Sequence, residues 1–385
     1  MKRNPVEMLL HIPYGFTCTI CAILLFANAC KKEQAPVQTD LPVTATDASN
    51  AKADIIVHSG ESIQAAVDAA QPGALIQIEP GTYSETISIA KANIKLVGIT
   101  QNGAGVIIQN PGDEDNGIRV SDEGDGFTLR NVTVQNFEEN GVLLARVDNF
   151  IISHVTVINN GEYGIFPILS SHGVIDHCTA SGHTDTGIYV GQSSDVNMQF
   201  NTATENVNGL EVENSSDVNV THNQCYNNVC GMLIDLLPGK EVKTSSNIYI
   251  GNNHVYNNNH ENFGAPGELE SVVPPGLGIL VLGTDETTIE KNTVTGNNFS
   301  GITVFSTLVL GALAGLPPEA FADIEPNPDG ARIIKNVVQQ NGMLPPSLPI
   351  LLPGVDLLWD GSGKDNCWTG NKFKTSYPSL LPACN

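Results

Sequence analysis

Acidic side chains recur along this chain at a nearly constant distance. Glu139, Glu162 and Asp185 follow one another at 23-residue steps, and the pair Glu211 and Glu213 is followed 22 residues after Glu213 by Asp235. Carboxylates brought close together raise one another's proton affinity unless a cation intervenes. They then suit general acid and base chemistry, or Ca²⁺ held by oxygen ligands. His183, Asp185, Glu211, Glu213 and Asp235 are the candidate catalytic residues, and Glu211, Glu213 and Asp235 the candidate Ca²⁺ ligands. Phe166, Tyr189, Gln192 and Glu211 would contact a ligand, the rings against apolar CH groups and the amide and carboxylate on hydroxyls, a pattern that suits a carbohydrate. The bland alternative is that acidic rows keep the protein solvated.

These residues need an element that stacks them. Segments opening with Gly and an apolar residue begin at Gly117, Gly141, Gly164, Gly187, Gly209 and Gly231, with spacings of 24, 23, 23, 22 and 22, and return at Gly278 and Gly301. Within each, β-branched runs such as Val132-Thr133-Val134 and Val155-Thr156-Val157 alternate with turn residues. Each unit therefore reads as a coil of short strands. The expected fold is all-β: a single-stranded right-handed parallel β-helix, a solenoid of ~10 coils, in which equivalent positions lie about 4.8 Å apart. Two places after each Gly the outward row reads Arg119, Leu143, Phe166, Tyr189, Glu211, Leu233, Leu280, Thr303.

Asparagine recurs at one bend, at Asn131, Asn201, Asn223, Asn253, Asn292 and Asn336, with His154 and His177 in the corresponding places of two coils. A second set, Asn136, Asn159, Asn206, Asn228, Asn259 and Asn298, precedes each new Gly. Asn tolerates left-handed backbone and can hydrogen-bond along the stack, so both sets, and the two histidines, read as structural. Open solenoid ends need caps. Ser62 to Gly73 reads as an amphipathic N-terminal capping helix with Ile63 and Val67 on one face. The tail around Trp359 and Trp368 would close the other end, with Cys367 and Cys384 as the best disulfide. Cys225 with Cys230 is a weaker pairing, and Cys178 reads as a buried free thiol.

Residues 1–29, basic at Lys2 and Arg3 and apolar from Phe16 to Ala27, have the composition of a signal peptide. Residues 30–53 are polar, as a tether should be, and 54–385 form the β-helix domain. Removing Lys2, Arg3 and Glu7 takes the formal charge from −23 to −24, which repels nucleic acid.

The run Leu25-Phe26-Ala27-Asn28-Ala29-Cys30 resembles a bacterial lipobox, which implies lipidation of Cys30 and a cell-envelope location, anchored outside the cytoplasm to the outer membrane or cell surface. The Gly-Ile openings and Asn bends look like the right-handed β-helix proteins related to pectate lyases and to periplasmic copper-export accessory proteins. SIQAAVDAAQPGALIQIEPGTYSE is similar to the opening of pectin methylesterases and other pectin-lyase-like folds, and the likeness runs over roughly Ser62 to Ile334. It implies fold; for activity it implies at most a polysaccharide lyase, epimerase or glycoside hydrolase-like reaction. Val174-Ile175-Asp176-His177 resembles the lyases' WIDH segment with Trp replaced, and no Arg-x-Pro-x-x-Arg follows. The lipobox and the C-terminal Cys pair also resemble a family of exported β-helix lipoproteins encoded beside a c-type cytochrome, and that partner is implied by the resemblance alone.

Apolar, Pro-rich insertions break the repeat at Leu236 to Ser246, His260 to Leu277, Phe305 to Ala331 and Met343 to Gly354. Leu308 to Leu316 would be a partner or lipid contact if exposed, a lid or wall over the groove, or a helix on the solenoid flank. Two functions follow: a carbohydrate-binding or carbohydrate-processing envelope lipoprotein, and a non-catalytic scaffold lipoprotein whose apolar loops dock a protein, with a c-type cytochrome as the implied partner. Cys30→Ser should move the protein from the membrane to the soluble fraction, since an unlipidated tether has nothing to insert. Unchanged membrane retention would refute lipidation as the anchor.

Overall fold

The computed structural model describes residues 52–385; the signal peptide, Cys30 and nearly all of the tether lie outside the described residues. The chain winds into three parallel sheets of 12, 11 and 10 strands. One coil shows the order: Ile151–Ser153 in the 12-stranded sheet, Thr156–Ile158 in the 10-stranded sheet, then Tyr163–Ile168 in the 11-stranded sheet. Each strand pairs with its equivalent one coil on, as in Thr156↔Thr179 and Ile165↔Ile188, so the repeat in sequence becomes the register in space.

Inward positions stack into apolar columns. Val134, Val157, Ala180, Ala203, Cys225, Val255, Val294 and Val338 form one, all fully buried. Each buried Val or Ile stabilises the coil by roughly 1.5–3 kcal/mol relative to exposure. The opening glycines have a different cause from turn formation. A Cβ at Gly141 would lie 2.6 Å from the carbonyl oxygen of Gly164, and one at Gly209 2.5 Å from that of Gly231. Stacked backbones here are too close for any side chain.

The asparagine sets divide differently from the sequence reading. The left-handed residue of the first bend is Asn131, His154, His177, Phe200, His222, Asn252, Lys291 or Lys335. The residue after it points inward, and there Asn201, Asn223, Asn253, Asn292 and Asn336 form a buried ladder. Thus His154 and His177 align with Asn131 but not with that ladder, whose column continues through Cys178. Along it each backbone N–H donates to the next coil's side chain: Asn201 to Asn223, Asn223 to Asn253 and Asn253 to Asn292, all at 2.8 Å. A second ladder joins Asn160, His183, Asn206, Asn228, Asn258, Asn297 and Asn341. Asn136 and Asn159 are the left-handed residues before it, and Asn259 and Asn298 come one place after it. A one-residue shift exchanges an outward bend for an inward ladder, which spacing alone does not resolve.

Both ends are closed. Helix α1 (Ile63–Ala69) buries Ile63 and Val67, is capped by the Ser62 side chain, and has the Glu85 carboxylate against the N–H groups of Ile63 and Gln64. At the other end Cys367 and Cys384 are bonded, and Trp359 and Trp368 pack at 5.3 Å between ring centres. Cys178, Cys225 and Cys230 are buried free thiols, and burial pushes Cys178 up to about 12. Cys225 belongs to the solenoid interior and Cys230 to an apolar cluster outside it, so the sheet separates them.

Asn253 accepts from the N–H and the amide of Asn223 and donates to Val220 and Asn292. Asn253→Ala strands several buried polar groups, each worth ~1–3 kcal/mol. Denaturant unfolding should show a loss of at least about 3 kcal/mol; a loss under about 1 kcal/mol would show that the ladder does not stabilise the stack.

Candidate functional site

The four insertions flank one sheet. Two leave the end of the 11-stranded sheet's strands, after Cys230–Asp235 and Ser300–Phe305, and two precede its strands Leu277–Leu282 and Val355–Trp359. Helix α2 (Thr307–Ala314) approaches the turn Leu269–Val272 across the sheet face. Leu310 and Gly311 of α2 are buried, so the 305–331 segment is a flank helix and wall. Beneath it Leu233, Leu280, Phe305 and Leu310 form a second apolar core outside the solenoid.

The outward row falls into the expected order, with Tyr189↔Glu211, Glu211↔Leu233 and Leu280↔Thr303 in register and Glu213↔Asp235 one step over. The aromatic step is present and begins three residues earlier than expected: Tyr163 stacks on Phe166 at 4.2 Å, and Phe166 lies 4.7 Å from Tyr189. The Tyr189 ring crosses over Gly191, where a Cβ would meet its hydroxyl at 1.9 Å. That missing side chain lets the phenol reach Glu213 Oε1 at 2.7 Å. Lys240, from the first insertion, closes on Glu213 Oε2 at 2.9 Å.

Around this relay the carboxylates are enclosed. Glu211, Glu213, Asp235 and Asp185 are all buried, and donor oxygens of the first three lie within 4.8 Å of one another. Thr186 Oγ1 is within hydrogen-bonding distance of both Asp185 and Glu211, yet a hydroxyl has one proton to give. A proton on either carboxyl would satisfy both contacts, and Asn208 Nδ2 also donates to Glu211 Oε2 at 3.3 Å. Burial, then neighbouring carboxylates, holds Glu211, Asp185 and Asp235 well above the usual carboxylate range. Glu270, brought by the second insertion, is pushed up to about 7, chiefly by burial. Burial acts against the Lys240 ammonium, but Glu213, Asp235 and Glu270 outweigh it and raise its proton affinity. Burial and then Glu213 keep the Tyr189 phenol neutral. Among the described residues, neither carboxylate oxygen of Asp235 has a hydrogen-bond partner.

Two expected site residues stand elsewhere. His183 is fully buried in the asparagine ladder, with Nδ1 2.7 Å from Asn206 Oδ1; burial pushes it down to about 4, so its imidazole is neutral. It holds the stack instead of facing the pocket. Gln192 is a left-handed bend residue whose amide oxygen accepts from the N–H groups of Glu241 and Val242 at 2.7 and 3.1 Å. Its oxygen anchors the first insertion, while its buried amide Nε2 has no hydrogen-bond partner among the described residues. Tyr163, Thr186, Asn208, Gly191, Lys240 and Glu270 were not foreseen. The first three share the position just before each opening Gly, so the repeat could have found them; Lys240 and Glu270 lie in insertions that have no register.

Because the folded state keeps protons on Glu211, Asp185, Asp235 and Glu270 that the unfolded chain has lost, stability falls as pH rises. For Glu270 the contribution is full below the ordinary glutamate value of 4.5 and is lost as pH climbs through about 7. Melting temperature should drop between about pH 5 and pH 8, and Glu270→Gln should flatten the slope. A slope unchanged in that variant would show that the cluster is not its source.

A right-handed β-helix region is matched at residues 116–238. No curated protein matches the chain in sequence. The mannuronan C-5 epimerase AlgE4 A-module from Azotobacter vinelandii is similar over 80% of this chain and 82% of its own, with TM-score 0.60 and 18% identity. The AlgE6 A-module of the same organism gives 0.56 and 16%, over 81% and 94%. DFA-IIIase from Arthrobacter chlorophenolicus A6, without its lid and in complex with GF2, gives 0.54 and 13%, over 82% and 85%. Identities this low speak for the backbone path and leave the chemistry to the residues. The chain folds as a right-handed parallel β-helix, a solenoid of three parallel sheets.

Proposed function

We propose that this chain is a carbohydrate-processing protein of the cell envelope, held there through lipidated Cys30, and that it transfers protons to or from a sugar. The observation that carries the reading is the relay from Tyr189 through Glu213 to Lys240 beside the unpartnered Asp235. Groups kept protonated by burial are acids, and an ion-paired carboxylate beside them is a base, which is the division of labour acid and base catalysis needs. Tyr163 and Phe166 supply ring faces for sugar CH groups on the open side. The reaction class is that shared by polysaccharide lyases, epimerases and glycoside hydrolases. The named solved structures include proteins that act on mannuronan, which makes it the first polymer to try. The carboxylates are enclosed, and Lys240, one quarter exposed, is the member of the relay most open to solvent.

Glu211, Glu213 and Asp235 also form an all-oxygen donor set that fits Ca²⁺, and the bare oxygens of Asp235 are suited to it. The ion would take the place of the Lys240 ammonium on Glu213. Mannuronan and a panel of other soluble polysaccharides, incubated in chelator and in millimolar Ca²⁺, should yield unsaturated, epimerised or newly reducing products. Tyr189→Phe and Glu213→Gln should slow product formation by about 10² or more, measured at a temperature where each variant is folded. No turnover and no binding of any glycan would sink the reading. Melting that is indifferent to Ca²⁺ would remove the ion from it.

One observation favours the scaffold reading. Met343, Leu344 and Leu351 are 77%, 72% and 100% exposed on the loop before Val355–Trp359. Apolar side chains this open on an insertion suit a protein contact, and that loop, in place of Leu308 to Leu316, is where a partner such as a c-type cytochrome would dock.

A further inference from the structure

A second group of side chains with metal-ligand chemistry stands at the bend between the 12-stranded and 10-stranded sheets, the edge of the coil opposite the acidic pocket. There His154 and His177 occupy the same left-handed position in adjacent coils, φ 55° and 53°. The shared conformation sends both imidazoles outward, and they stack 4.7 Å apart with an 8° angle between planes. Asp176, the residue before His177, lies beside them with Oδ2 3.0 Å from His177 Nδ1. One ligand atom from each of the three falls within 4.8 Å of the others. Both imidazoles are exposed, so an ion reaches them without any opening of the fold.

We propose that His154, Asp176 and His177 form a three-ligand site for a late first-row divalent ion, Cu²⁺ or Zn²⁺, with the remaining positions open to water or an exogenous ligand. Two imidazole nitrogens and one carboxylate oxygen are a borderline donor set that Ca²⁺ and Mg²⁺ do not favour. Three protein ligands are the number found where a coordination position stays open. With metal–nitrogen bonds of ~2.0–2.1 Å, donors on a tetrahedral ion sit about 3.4 Å apart, so binding requires the two exposed rings to leave their parallel stack and tilt their in-plane lone pairs toward each other. Ser153 Oγ, 2.9 Å from His154 Nδ1, orients the first ring from behind. Phe200, stacked on His177 at 5.2 Å, and Asn131 continue the bend on either side and limit the imidazole pair to two coils. Arg130, in the row that contains Asp176, is the nearby opposing charge. The net charge of −23 draws cations to the surface as a whole.

The test uses the mature chain without a polyhistidine tag. Cu²⁺ should bind at one equivalent and show electron-spin coupling to two imidazole nitrogens, and Zn²⁺ should bind by calorimetry at the same stoichiometry. His154→Asn and His177→Asn should each weaken binding by more than about tenfold while melting stays unchanged, because Asn131 and Asn252 already occupy this bend in other coils. His172→Ala, an exposed histidine elsewhere, should leave affinity intact, as should saturating Ca²⁺. Absence of one-equivalent binding, nitrogen coupling from fewer than two imidazoles, or affinity that survives both Asn variants would overturn the proposal.

Discussion

The structure depends on one constraint: every strand must hydrogen-bond to its equivalent in the next coil. That places like positions a strand spacing apart for the whole length of the chain. Whatever side chain a position holds in one coil therefore faces whatever it holds in the next. The cost is loop-closure entropy for each coil, and the return is a continuous apolar interior with paired backbone throughout.

Polar residues meet this constraint in two ways. Inside the solenoid, Asn stacks on Asn, and each amide gives and receives along the axis, so buried polar groups are satisfied by repetition. Carboxylates cannot do the same, because both partners are acceptors. Where Glu213 and Asp235 stack, the deficit is met by protons, by Tyr189 and by Lys240, and Asp235 still lacks partners. Strain of this kind costs stability that a merely solvated acidic face would not. The same geometry on an exposed bend, with His154 above His177, carries no such cost because water reaches both rings.

The insertions decide how enclosed each row is. All four flank the 11-stranded sheet, so its outward row is covered from Tyr189 to Leu358, while Arg119, Leu143 and Phe166 at the start of the row are exposed or half-buried. Gln192 and Asn214, both left-handed bend residues, hold the first insertion down through backbone hydrogen bonds. The bends of the solenoid thereby serve as anchor points for the lid of the pocket.

Much of this was legible in the order of residues. The Gly spacing determined the coil, and with it the register that puts Tyr189 beside Glu211 and Glu213 beside Asp235; the capping helix and the Cys367 to Cys384 bond also followed from local pattern. Periodicity reaches only residues that repeat. It merged the inward ladder with the outward bend, setting Asn131, His154 and His177 in one column with Asn201 to Asn336, since bend and ladder are adjacent in sequence and opposite in direction. It set His183 in the site when the fold needed it as a ladder member. Lys240 and Glu270, which settle the charge of the pocket, come from insertions with no counterpart in other coils. Only the packed structure decides where those segments return, because their position is set by what they bury against the sheet and not by any spacing along the chain.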